Sequence, residues 1–257
     1  MSLQTALVTL KAGNNSNLTS LNVQNGNNVN VTVFQTPTTP NLTCIRVDDI
    51  AHSTANWTNI DGANSFSDTY CRYTYMPDDN FELTMFNGGY DDILGDDQVP
   101  TVLIEVITNI TNYAGSAPIA DVTGIEDFAA LETLTMEDHT FTTADLSSNQ
   151  NLRAISFKDT PVANLNISSN TGLENLRLEN VNMTTLDVSN NTALETLNIS
   201  EMPSFTAPDL TTNTSLKDLS FSDIDLSSGY DISHLVNLEY ISFFSCALNT
   251  LDLSNNI

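Results

Sequence analysis

The chain has 257 residues, 32 of them acidic and only seven basic, for a net charge of −25. So strong an acidic excess argues against nucleic acid and anionic membranes as partners, because neutralising phosphate takes clustered Lys and Arg. A further 32 residues are asparagine against ten glycines and eight prolines, a turn-rich composition that keeps enough apolar residues, 40%, to bury a core.

Taken from the start, Met1–Lys11 lacks the basic and apolar regions of a signal peptide, and no apolar run reaches the roughly 18 residues of a membrane helix. The chain is expected to be soluble, without membrane insertion. Leu7-x-x-Leu10-x-Ala12-x-x-Asn15 and Leu18-x-x-Leu21-x-Val23 carry the apolar step of two that marks a strand. After an irregular stretch from Asn25 to Pro40, Leu42-x-x-Ile45-x-Val47 predicts one more strand, and there the period stops. Asp48–Tyr70, with Trp57, Ile60 and Phe66, reads as a cap. Beyond it, Asp79 and Glu82 predict an N-cap and capping-box pair, Phe81 and Met85 share a helix face, and Gly88-Gly89 end the helix.

From Leu131 the pattern becomes regular. Leu131, Leu152, Leu173 and Leu194 are 21 apart, and Leu216 and Leu238 follow at 22, each opening a segment of the form Leu-x-x-Leu-x-Leu. The second half of each unit repeats the pattern and adds an asparagine: Phe141-x-x-Ala144-x-Leu146-x-x-Asn149, then the copies ending at Asn170, Asn191, Asn213 and Asn256. An inward amide can hydrogen-bond the backbone of the next coil, so stacked copies make a ladder. Asn149, Asn170, Asn191, Asn213 and Asn256 are its expected rungs, with Cys246 as the alternative residue; Asn180, outside the ladder, is expected to tolerate leucine.

This pattern resembles the leucine-rich repeat family, and its short nested unit is similar to the secreted surface proteins of Bacteroidetes type. The resemblance implies a fold that is α/β by that family's convention but mostly β: a parallel-stranded solenoid with a short N-terminal capping helix in a second array. Residues 1–74 would be the end of a first array, residues 75–124 a capping helix and entry strands, and residues 125–257 six repeats, the last truncated. Three cysteines allow one bridge and one free thiol. In the resemblance, Cys44 and Cys71 bracket the first array's cap, where a disulfide would staple it, which places the protein on the outer cell surface or in the secreted fraction. The chain starts inside a repeat and stops just after a rung, so a longer parent protein is expected.

Chemistry is sparse. His52, His139 and His234 lie far apart, outside any metal or nucleophile motif, and His139 and His234 read as structural substitutes near rungs; no enzyme is expected. Outward Asp145, Asp187, Asp209 and Asp252 form a column broken by Asn166, an oxygen-rich surface on which calcium is the one ion to consider, although the spacing matches no defined calcium loop and no metal or other cofactor is expected. The eleven Asn-x-Ser/Thr sequons are a by-product of Asn- and Thr-rich turns. The outward positions of the first-half strands are more varied, as recognition requires. Asn175, Arg177, Thr196, Asn198, Asp218 and Tyr240 are therefore the candidate ligand-binding residues, with an unidentified protein or polysaccharide as partner. The alternative is a structural spacer or adhesin stalk that carries other domains.

Overall fold

A computed structural model describes residues 7–62, 64–112 and 117–256, in two compact units, Met1–Tyr73 and Thr74–Ile257. The first residues of the opening segment and residues 113–116 of the expected entry strands lie outside the described residues. Among the described residues no helix is long and apolar enough to cross a membrane.

In the first unit the period does not stop at Val47. Strands Thr9–Lys11, Val33–Thr36 and Asn59–Ile60 stack in parallel as one three-stranded sheet, and Leu21–Asn22, Cys44–Arg46 and Ser65–Ser67 as another. The stretch read as irregular therefore holds a strand and a short 3-10 turn, Asn28–Asn30, and the segment read as a cap is a further coil with a helix, Ile50–Asn56, inserted in it. The core is small and aromatic. Trp57 stacks on Phe34 with ring centroids 4.2 Å apart and donates its indole N–H to the Val31 carbonyl at 3.0 Å. Cys44 and Cys71 are joined as a disulfide across a separation of 27 residues, and Cys246 is free and buried.

The second unit is a leucine-rich repeat solenoid. Seven parallel strands form its main sheet: Asn109–Asn112, Thr133–Glu137, Ala154–Lys158, Asn175–Glu179, Thr196–Ser200, Asp218–Ser222 and Tyr240–Phe244. Leu134 pairs with Ile155, which pairs with Leu176, then Leu197, Leu219 and Ile241, so each apolar row of the sequence becomes one continuous row of the core. Asn109–Asn112, within residues 75–124, is the first strand of this sheet, and no leucine signature marks it. Strand geometry in the second halves is confined to Thr143–Asp145 and Asn164–Asn166, and the other copies run as turns.

The capping helix is Asp79–Asn87, and its N-cap is Asp78 rather than Asp79. One Asp78 carboxylate oxygen accepts the N–H groups of Asn80 and Phe81, both at 3.0 Å, and the other accepts those of Ala120 and Asp121. Glu82 does not close a capping box. It is buried and accepts the Gly95 and Asp96 N–H groups at 2.9 and 3.2 Å, tying the helix to the following loop. Phe81 and Met85 face the core, where Phe81 stacks on Phe128.

Each asparagine amide on the inner column reaches back one coil. Asn170 donates to the carbonyls of Leu146 and Asn149, Asn191 to Ile167 and Asn170, and Asn213 to Val188 and Asn191, all between 2.7 and 3.1 Å. Asn149 starts the series on Ile125 and Phe128, and Asn256 ends it on Leu235. At the fifth place Leu235 is the buried residue and the neighbouring His234 supplies the bond, its Nε2 lying 3.0 Å from the Leu210 carbonyl and so carrying the proton. Cys246 is not part of this column. It follows the first strand of its coil, in a second inner column with His139, Thr160, Val181, Met202 and Ile224, and its Sγ lies 3.3 Å from the Phe221 carbonyl.

A second periodic device was not anticipated. Asp138, Asp159, Asn180, Glu201, Asp223 and Ser245 all have φ between 50° and 61°, the left-handed turn that follows each main-sheet strand from Thr133–Glu137 onward. Asn180 stands in that series and donates to Asp159 at 2.7 Å, so its side chain is not indifferent. Asparagine tolerates this conformation better than leucine. Asn180→Leu should therefore destabilise the second unit by about 1 kcal/mol in urea denaturation, whereas Asn180→Gly should hold or improve its stability.

His139 carries a pH dependence. It is buried, and its Nδ1 accepts the Ile119 N–H at 3.1 Å, which fixes a neutral ring with the proton on Nε2. Burial, above all, holds its pKa below the ordinary histidine value, against the opposing effects of the Asn112 carbonyl, Asp138 and Asp78. The unfolded chain then binds the extra proton first, so this contribution is complete above the ordinary histidine range and is lost as pH falls toward the lowered folded value. Glu82 and Asp91, both pushed up by burial, act in the opposite sense. The thermal midpoint of the second unit should consequently fall more steeply between neutral and mildly acidic pH in the unmutated protein than in His139→Asn.

Candidate functional site

Parallel register turns the outward residues of the main sheet into straight rows. One row runs Asn109, Thr133, Ala154, Asn175, Thr196, Asp218, Tyr240, and the next runs Thr111, Thr135, Ser156, Arg177, Asn198, Ser220, Ser242. Four of the six candidate residues, Asn175, Arg177, Thr196 and Asn198, meet around an open depression of about 280 Å³ that Thr135, Ala154 and Ser156 complete. Asp218 and Tyr240 continue the first row but do not line it; Tyr240 is 56% exposed.

Arg177 is not a free cation. Its guanidinium pairs with Glu179, which also receives Lys158 at 3.0 Å, and Lys158 reaches Glu137 at 3.7 Å on the other side. Burial works to raise the Glu179 pKa, but the hydrogen bonds from Arg177 and Lys158 together hold it below the ordinary carboxylate range. At the other border of the sheet Arg153 pairs with Glu174 at 2.7 Å and Lys217 with Glu195 at 2.8 Å. Arg153, Lys158, Arg177 and Lys217 are all the lysines and arginines of residues 74–257, so every cation of this unit lies along one sheet and is ion-paired there. The Glu137, Lys158, Glu179 series at intervals of 21 is the sequence signal that would have shown Arg177's carboxylate partner.

The acidic column on the second halves has a different geometry. Asp145, Asn166, Asp187, Asp209, Asp231 and Asp252 each accept the N–H of the residue two positions on, at 2.9 to 3.2 Å. Those bonds, together with ones from the side chains of the same residues, hold the five carboxyls below the ordinary range. Such Asx turns explain why the column is monotonous. The tripeptide Asp/Asn, then Leu, Ile or Val, then Ser/Thr repeats at every one of these turns and includes Asp231, which the leucine pattern passed over. A depression of about 400 Å³ opens beside Asp145, Asn166 and Asp187. Among the described residues one group presents three carboxylate oxygens within 4.8 Å of one another, Asp79, Glu82 and Asp97 at the capping helix. Asp97 is distant in sequence from the other two, so no motif reveals it.

Residues 108–202 match the family model described as the leucine-rich repeat domain of the endo-beta-N-acetylglucosaminidase EndoS. Comparison with curated proteins finds no match. Among solved structures, the functional domain of InlJ from Listeria monocytogenes is 22% identical over 73% of this chain and 56% of that one, with a TM-score of 0.39. The internalin InlF of the same organism is 20% identical over 67% of this chain and 57% of that one, with a TM-score of 0.42. The chain thus spans little more than half the length of either. Over residues 108–202, fold and family match together define a leucine-rich repeat domain.

Proposed function

We propose that the chain is a non-catalytic recognition module of a secreted or surface-exposed protein, and that it binds its partner through the outward face of the seven-stranded sheet. The observation that carries this reading is the contrast between the two faces: the second-half column spends its polar side chains on its own turns, whereas Asn175, Thr196 and Asn198 project from rigid strands with no such commitment and surround a depression. The Cys44–Cys71 disulfide supports an oxidising, extracytoplasmic setting. The histidines support a structural rather than a catalytic use, since His139 and His234 are engaged with backbone groups.

The test is binding to a panel of immobilised surface proteins and glycans, with Arg177→Ala and Asp187→Ala compared against the unmutated chain. Arg177→Ala should weaken binding about tenfold, or about 1.4 kcal/mol, and Asp187→Ala should leave it unchanged. The reverse pattern would transfer recognition to the acidic column, and no binding at all would favour a structural spacer.

A further inference from the structure

The depression has a definable origin. Two of the three outward residues of one strand, Ala154 and Ser156, are short, while the facing positions on the next strand, Asn175 and Arg177, are long. The result is a shallow hollow in which hydroxyl and amide side chains, those of Thr135, Ser156, Asn175, Thr196 and Asn198, stand beside Ala154, Ile155, Leu176 and Arg177. Hydroxyl and amide side chains each offer both a donor and an acceptor. An uncharged ligand bristling with hydroxyls has the same double capacity.

Electrostatics points the same way. In a chain of net charge −25, the two cations nearest the hollow, Arg177 and Lys158, are cancelled by Glu179 and Glu137. An anionic ligand would find no surplus of positive charge there. The lining also has no aromatic side chain to serve as the buried anchor on which protein–protein affinity usually rests. The nearest exposed ring in the row is Tyr240, three strands from Asn175, a distance of roughly 14 Å at the ordinary strand spacing. That ring is placed to stack on a more distant unit of a ligand that runs across the strands.

Resting on the proposed recognition role, we infer that the hollow takes one unit of a neutral oligosaccharide, whose chain crosses the strands toward Tyr240. The probe is a glycan array of neutral, sialylated and sulfated oligosaccharides, run beside an array of immobilised proteins, with the full chain. Neutral oligosaccharides of three or more units should bind, and raising the salt concentration should not weaken them. Ala154→Leu, which fills the hollow, and Asn198→Ala should each reduce that binding about tenfold or more, and Tyr240→Ala should reduce it for long oligosaccharides but not for short ones. Circular dichroism of each variant establishes that the sheet is intact. Face-dependent binding of only anionic glycans or only proteins would overturn the saccharide inference and leave the recognition face standing. Binding that Ala154→Leu and Asn198→Ala leave undiminished, or no binding on either array, would overturn both.

Discussion

Cys44→Ala combined with Cys71→Ala should lower the stability of the first unit by about 3.5 kcal/mol, the chain-entropy value for a bridge that spans 27 residues. The loss is large relative to what holds that unit together, since its buried apolar cluster is small and centres on Phe34 and Trp57. The second unit, whose separate core runs from Met76 to Cys246, should be unaffected. The two responses are separable because Trp57 is the chain's single tryptophan and sits in the first unit. In urea, tryptophan fluorescence should report an early transition for the variant, while the backbone circular-dichroism transition of the second unit keeps its midpoint. A tryptophan transition that does not move would show that the packing of Trp57 on Phe34 suffices without the bridge.

Asn191→Leu should cost the second unit roughly 1 to 3 kcal/mol, because it removes one of the two donors from each of two carbonyls, those of Ile167 and Asn170, which keep only the N–H groups of Asn170 and Leu173. Leucine keeps the branching of asparagine but is bulkier, so the loss reflects hydrogen bonding and crowding rather than a cavity. Asn190→Leu, exposed and next in sequence, is the control and should change stability little. Equal effects at the two positions would mean that the amide ladder does not contribute to cohesion between coils.

The contrast between adjacent asparagines shows what was legible in the sequence. Leu131 to Leu238 could be placed in register because every coil of the second unit repeats the same apolar step, and buried rows leave little freedom to slip. The first unit hid three of its strands for the opposite reason. Val33–Thr36 and Asn59–Ile60 lie 24 positions from their partners and Ser65–Ser67 lies 21 from its own, and none of the three contains a leucine. Its polar supports are also of other kinds, such as Thr39 donating to the Thr36 carbonyl and Asn64 to the Thr36 hydroxyl, which no rung pattern contains. At the capping helix, Asp78 and Asp79 are chemically alike, and only the geometry that lets Asp78 reach Ala120 as well selects it.

For the candidate site, alternation along each strand shows which residues share the outward face. It cannot show that Ala154 and Ser156 leave a hollow, because depth depends on the relative lengths of neighbours on different strands. Nor does single-residue inspection reveal that Arg177 is neutralised: Glu179 lies two residues away on the same outward face, and Lys158 joins them only once the coils are stacked.

The backward reach of the asparagine ladder also sets how the array can change in length. Each amide takes its acceptors from the coil before it, at offsets of 21 and 24 or a residue more. Removing or duplicating one whole coil therefore returns every remaining amide to an equivalent pair of carbonyls, and the left-handed turn after each strand returns to its place as well. An insertion of any other length breaks both at once. The second unit is thus free to grow or shrink by one strand spacing at a time, which lengthens or shortens the row of outward side chains without altering how any single coil folds.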